Sequence, residues 1–460
     1  VMLLGEMILH HSLKNNNKAI STPKLYIVHC IDTEGPLYES IEATFARLKS
    51  MFDIDLPATK KNLEKIQNQN ADLGELSKPV SEAFNRHLLA YNDTWEKVDS
   101  MLDKIMTTDY REQFKDSCGD GIVYNWHCMD NVGFTANPRR RDLGFGNVFS
   151  HYKMKIVEHN SHDPIHWHFH PLSFNKDGHI CSTSYDNSYE VLHQILCRRL
   201  IDHNWFPIVN RAGFHAMRQD SSFFLEQWIP FDYSNQSSYD DLNSQPDSNR
   251  YGDWRRASKK WLPFNPSYDD YQLPGNMNRL STRCLNIGTR YKLLTDNDIE
   301  NAFKDAVENN SSILAFTNHD FRDMSVDIED IYCRINKVQK KYQNVSTINS
   351  DAVTAMRNTF YGEESIDNEK IKINVELINE LSVNKIIVTQ KMGEVFGSQP
   401  YLAIKTKEGR YYHDNFNERS HKKTWEYILD SSSIKLQEIE KIVVASNDRY
   451  GNQSIEASKP

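Results

Sequence analysis

The run Lys24–Ile31, KLYIVHCI, passes without a break into Asp32-Thr33-Glu34-Gly35-Pro36. A short apolar, β-branched run closed by a Gly-Pro turn is the pattern of a buried strand. α/β folds place their chemistry at the carboxyl ends of such strands. Asp32 and Glu34 stand at that end, and they point the same way if the strand continues through them.

The order of strand, polar strand end and helix repeats along the chain. Strands are expected at Gly121–Met129, at Lys155–Glu158, at the start of Pro207–Met217, at Gln227–Tyr233 and at Ser312–Asn318. Amphipathic helices are expected at Ser188–His203, with Arg198 and Arg199 opposite its apolar face, at Asp296–Glu308 behind a Thr295 cap, at Asp327–Tyr342, and from Ser350 onward. This alternation from 24 to 357 predicts an α/β, barrel-like domain. Residues 57–115 form a helical insertion in it, and 1–23 a flexible tail. Beyond Tyr361 the pattern changes to short alternating runs, Lys372–Leu377, Lys385–Gln390, Tyr401–Thr406 and Lys441–Ser446. An antiparallel β-sandwich over 365–460 follows.

One stretch concentrates the chemistry. Glu158–Pro171 carries five of the 18 histidines. His166, His168 and His170 alternate with Trp167 and Phe169, so an extended chain turns the imidazoles to one face and the aromatics to the other. Imidazole is the commonest neutral metal ligand. Further strand-end candidates are Arg211, followed by Ala212-Gly213, where glycine permits a tight turn or a close backbone approach, and His319-Asp320. His127 reads as structural. Asn137–Asp142 (NPRRRD) is either a solvated basic turn or a clamp for an anionic group of a substrate. The aromatics of 234–285, Trp254, Trp261, Tyr268 and Tyr271, either wall a carbohydrate groove or pack inside a long loop.

Composition narrows the partners. A net charge of −9 argues against a nucleic-acid backbone as the main partner, and no apolar run is long enough to span a bilayer. Seven scattered cysteines without CxxC spacing suit reduced thiols in a cytoplasmic protein, and the start of the chain has no signal-peptide pattern.

Taken in order, Asp32-Thr33-Glu34-Gly35, the His-rich stretch ending in His170-Pro171, Arg211-Ala212-Gly213-Phe214 and Phe316–Asp320 resemble the motifs of the polysaccharide deacetylase family, also called the NodB-homology or carbohydrate esterase 4 group. The likeness spans roughly residues 20–358 and is nearest to the WbmS-like branch of bacterial O-antigen clusters. It implies a distorted (β/α) barrel over 24–360 of NodB type, with a C-terminal β-domain. It also implies a divalent metal, Zn²⁺ above Co²⁺ or Mn²⁺. The activity implied is removal of an N-acetyl or other acyl group from a sugar of a surface polysaccharide or its precursor, by hydrolysis of a C–N amide bond. Carried over residue by residue, Asp32 is the base, Arg211 tethers it and His319 is the acid; beside it Asp320 either orients His319 or keeps it charged. Glu34 and His170 bind metal, with His166 and His168 as rivals for the second histidine. Two departures stand out: Thr33 splits the family's adjacent acids, and the histidine spacing fits two pairings. A non-catalytic carbohydrate-binding protein and a small-amide hydrolase of the same fold are the competing readings.

Overall fold

The computed structural model describes residues 22–176, 184–239, 252–380 and 383–459. Most of the expected N-terminal tail, Cys181 and part of the 234–285 loop lie outside the described residues. The other six cysteines are free.

Seven parallel strands close into a barrel: β1 (Lys24–Thr33), β2 (Tyr124–Cys128), β3 (Ile165–Phe169), β4 (Val209–Ala212), β5 (Phe231–Asn235), β6 (Leu280–Asn286) and β7 (Ser311–His319). β1 is the longest and is buried nearly throughout. One of its edges pairs with β7 from Lys24 to Asp32. The other edge is shared: Lys24–Ile27 pair with β8 (Ser346–Asn349), and His29–Thr33 with β2. The barrel is therefore closed at its carboxyl end, and β8 lies beside β1 at the amino end.

Helices cover the outside. α5 (Trp95–Ile105), α7 (Asn147–Glu158), α10 (Asp296–Asn309) and α11 (Ser325–Gln339) share one core with the outward side chains of β1, among them Leu25, Ile27 and Ile31. α8 (Tyr189–His203) and α9 (Gln219–Trp228) pack over Trp167 and Phe169. α12 (Ala352–Tyr361) closes the amino end, where Ala352, Ala355 and Met356 meet Tyr26, Val28, Phe231 and Ile313.

The helical insertion begins earlier than expected, at α1 (Ile41–Phe52), and runs through α2 (Lys60–Gln67), α3 (Ser77–Ala83), α4 (Arg86–Leu89) and α6 (Thr108–Arg111). Its own small core joins Phe45, Leu48, Ile66, Val80 and Phe84. Ser40, Thr59, Asn85, Thr94 and Thr107 cap its helices through side-chain oxygens, which satisfies backbone donors that a helix start leaves open.

Four sequence expectations need correction. Lys155–Glu158 is the last turn of α7, whose buried Val148, Phe149, Tyr152 and Lys155 recur at helical spacing. Gln227 and Trp228 end α9, so the strand begins only at Phe231. Within 234–285, Leu280–Asn286 is the buried strand β6. Its serine, threonine, arginine and asparagine mask the apolar signal by which a strand is recognised. Arg199, placed on the polar face of its helix, is buried against Asp130, with Nε donating at 2.8 Å.

The C-terminal region forms two four-stranded antiparallel sheets. One contains β9 (Lys372–Glu380), β10 (Val383–Met392), β13 (Asn417–Ser420) and β14 (Thr424–Leu429). The other contains β11 (Tyr401–Thr406), β12 (Tyr411–Asp414), β15 (Ile439–Asn447) and β16 (Gln453–Ser458). Ile373, Ile386, Val388 and Trp425 of the first sheet share a core with Leu402, Ile404, Ile442 and Val444 of the second. The outer face of the second sheet packs on the barrel: Tyr401, Ala403 and Val443 join the core under α8 and α9. At that junction His193 and His413 stack at 4.1 Å, and His193 Nδ1 lies 2.9 Å from the Tyr401 hydroxyl.

Candidate metal centre at the carboxyl end of the barrel

Strand register assembles the site. Asp32 is paired with His319 across β1–β7 and with His127 across β1–β2. His127 is paired with His166, and His168 with Arg211. Alternation turns Asp32, His127, His166, His168 and Arg211 inward, and all are buried. The same period of two carries Glu34 and His170 into the mouth above Asp32 and His168. Thr33, between the two acids, is turned aside and donates its hydroxyl to the His127 carbonyl at 3.1 Å. The inserted residue therefore keeps both acids on one side.

Glu34, His168 and His170 offer ligand atoms that all lie within 4.8 Å of one another, and among the described residues they are the group able to hold a metal ion. The two Nε2 atoms are 2.9 Å apart. Glu34 Oε1 is 3.3 Å from that of His170 and 4.0 Å from that of His168. His168 Nδ1 lies 2.9 Å from the Arg211 carbonyl oxygen, to which it can only donate, so its Nε2 carries the lone pair. Burial, then their mutual charge, holds His168 well below the ordinary histidine range, and burial lowers His170. Neutral imidazoles result. Burial alone would raise Glu34, but Arg141 and His170 bring it well below the usual carboxylate range. Two neutral imidazoles and one ionised carboxylate fit a divalent cation with an open position, the donor set of catalytic zinc sites.

His170 is held by its neighbours on the β4 turn. An added Cβ at Gly213 would overlap the His170 ring and the Phe169 carbonyl oxygen, so only glycine allows this approach. Phe214, next in the chain, takes a left-handed conformation at φ 54°, and its ring meets that of His170 edge-on at 4.1 Å. A bulky residue with positive φ is costly, of the order of 1–3 kcal/mol, and persists where the surroundings impose it.

Below these three residues lie Asp32, Arg211 and His319, groups able to exchange protons or compensate charge. Arg211 Nε donates to both oxygens of Asp32, at 2.8 and 3.1 Å. Burial raises Asp32 to about 7, with Arg211 opposing the rise and Glu34 adding to it. His319 Nε2 is 3.7 Å from Asp32 Oδ2. Burial lowers His319 to about 3, which leaves it neutral.

The remaining sequence candidates fall elsewhere. His166 sits one layer deeper, with Nε2 3.2 Å from Asn125 Oδ1 and its ring beside His127. Asp320 turns away from its neighbour His319. It accepts the N–H groups of Glu34 and Gly35 at 3.0 and 2.8 Å and the Tyr152 hydroxyl at 2.9 Å. Its carboxylate fixes the turn that carries Glu34. Trp254, Trp261 and Tyr271 are buried in the packing, and Tyr268 alone of that set is exposed, so these aromatics pack inside the loop. Arg141 belongs to the Asn137–Asp142 run, for which the sequence leaves a solvated turn and an anion clamp open. It is buried and ion-paired with Glu34 Oε2. The run of three arginines was the available signal, but it does not say which of them turns inward.

Compared with known proteins, the chain matches no family model, no curated protein and no solved structure.

Proposed function

We propose that the protein is a metal-dependent hydrolase that removes an N-acetyl or related acyl group from a sugar, with a barrel of the polysaccharide deacetylase, NodB-homology type. The observation that carries this reading is the convergence at one barrel mouth of the Glu34–His168–His170 group, the Asp32–Arg211 pair and His319. A divalent cation held by Glu34, His168 and His170, zinc by the chemistry of the donor set, would supply Lewis acidity toward the amide carbonyl and the attacking water.

The chain's own residues supply the proton transfers. Asp32, raised to about 7 by burial, is suited to take a proton from the attacking water at neutral pH. The remaining hydroxide bonds to the carbonyl carbon. His319, with Nε2 3.7 Å from Asp32 Oδ2, relays that proton to the departing nitrogen as the C–N bond breaks, leaving a carboxylic acid and a free amine. Arg211 holds the carboxylate of Asp32 in place and compensates its charge in the dry interior.

The sugar, a surface-polysaccharide unit or its precursor, rests on the resemblance of the motifs, and a cytoplasmic location on the scattered cysteines without CxxC spacing. Among the described residues no helix is long and apolar enough to cross a membrane. The test is acetate release from N-acetylated sugars and oligosaccharides by Zn²⁺-loaded protein, beside Asp32→Asn and His170→Ala. Release lost in both variants supports the reading. Saturable sugar binding without release by wild type under Zn²⁺, Co²⁺ and Mn²⁺ overturns it in favour of a binding protein.

A further inference from the structure

Arginines crowd the rim directly beside the metal centre. Arg141 pairs with Glu34. Two residues earlier, Arg139 lies 3.6 Å from Glu39, which also pairs with Arg47. Arg47 Nη1 donates to the Tyr91 hydroxyl at 3.4 Å, and that hydroxyl donates to Glu39 at 3.1 Å. Arg290 donates to the Ala83 and Leu88 carbonyls at 2.6 and 3.4 Å, and Tyr91 bridges in antiparallel fashion to Arg322, three residues past His319.

These side chains come from the turns after β1, β2, β6 and β7 and from the helical insertion, and Arg322 also donates to the Gly288 carbonyl at 2.9 Å. Five guanidiniums face Glu34, Glu39 and Asp327. Asp327 is shared with His87, 3.2 Å away. Burial and one another's charge push Arg139, Arg290 and Arg322 below the ordinary guanidinium range. Such crowding is relieved by a further anion. Arg47 and Arg139 keep 13 % and 22 % of their side-chain surface exposed, so one edge of the cluster reaches solvent.

We propose that this arginine cluster is an anion subsite that receives a phosphate or diphosphate ester of the substrate and so places a phosphorylated sugar over the metal centre. The substrate assignment rests on the hydrolase reading above, whereas the anion subsite does not. Guanidinium forks match phosphate oxygens in geometry as well as charge. The chain's net charge of −9 makes a cationic concentration at this one rim a local feature.

The test is calorimetric titration of the full chain with pyrophosphate in EDTA at low ionic strength, for wild type, Arg139→Gln, Arg290→Gln and the distant surface variant Arg334→Gln. Saturable binding is expected, weakened at least tenfold in the first two variants, unchanged in the third and suppressed by salt. Absence of saturable binding, or binding indifferent to both rim substitutions in protein of normal circular dichroism, overturns the subsite. Competition then reads the source of the anion. Displacement of pyrophosphate by a nucleotide-diphosphate N-acetyl sugar assigns a nucleotide-linked substrate. Displacement only by a short polyprenyl-diphosphate sugar assigns a lipid-linked one, and displacement by neither overturns the substrate assignment. Because the titration is metal-free, failure of the metal centre leaves its outcome untouched.

Discussion

His168 Nε2 faces His170 Nε2 at 2.9 Å, while His168 Nδ1 is committed to the Arg211 carbonyl oxygen. One backbone hydrogen bond thus fixes which nitrogen of His168 enters the site. Removing either histidine is expected to lower zinc affinity at least a hundredfold. His166→Ala, which alters the layer below, is expected to leave about one zinc per chain. Elemental analysis of the three variants after zinc loading checks this ordering, and retention of zinc by His168→Ala would contradict it.

Gly213→Ala adds a methyl group where the His170 ring lies. The expected result is a folded protein that has lost most of its zinc affinity, because the ring must move while β4 keeps its place in the sheet. Titration of Zn²⁺ against a competing chelator, with circular dichroism beside it, separates this from unfolding.

Asp320→Asn keeps the shape of the side chain but replaces one acceptor oxygen with a donor, facing the N–H groups of Glu34 and Gly35 and the Tyr152 hydroxyl. Groups that orient ligands typically contribute about 10–100-fold to metal affinity. A loss in that range with intact zinc stoichiometry at saturation is expected. An unchanged affinity would show that Glu34 holds its position without this anchor.

Arg211 and Asp32 are both fully buried. Replacing Arg211 by Met leaves an uncompensated carboxylate, and breaking a buried pair in this way costs about 3–5 kcal/mol. Urea denaturation is expected to show that loss, and Arg211→Met/Asp32→Asn is expected to recover part of it. A double variant no more stable than Arg211→Met alone would place the cost in lost packing.

The stacked His193 and His413 join the barrel to the C-terminal sheets. Burial lowers them to about 3 and about 4 respectively. Their folded values lie below the unfolded value of about 6.5, so the unfolded chain takes up protons first. The stability from this junction is full above pH 6.5 and is lost as pH falls toward 4. His413→Phe removes one of these groups, so its thermal midpoint is expected to fall less than that of wild type between pH 7 and pH 4.5. Parallel decline of the two proteins would dissociate the junction from acid sensitivity.

Much of this organisation was legible in residue pattern. β1 and β7 are strands because their apolar runs are continuous, and α10 starts at Asp296 because Thr295 and Asp298 form a capping box. The alternation of His166–His170 with Trp167 and Phe169 is the alternation of β3, with imidazoles in the barrel and aromatics under α8 and α9. β6 was illegible because a strand inside a barrel can bury Ser281 and Arg283 by pairing them, Ser281 with Asp232 at 3.2 Å and Arg283 with Asp298 at 2.7 Å. The identity of the second histidine near Glu34 was equally hidden, since His166 and His168 share one face and differ only in depth.

Sequence by itself determined the period-two placement of Asp32 with Glu34 and of the three histidines, because side-chain direction along a strand is a local property of the backbone. It also determined the change from strand–helix order to short alternating strands after Tyr361. Tertiary structure alone decided that β1 pairs with both β2 and β7, which sets Asp32 beside His127 and His319, and that β3 pairs with β4, which sets His168 beside Arg211. It alone brought Arg141 to Glu34, Asp320 to the Glu34–Gly35 turn, and Arg139, Arg290 and Arg322 to one rim. Those meetings join residues up to nearly three hundred positions apart. They follow from strand register and barrel closure, which depend on the packing of the whole core and leave no mark in any local stretch of chain.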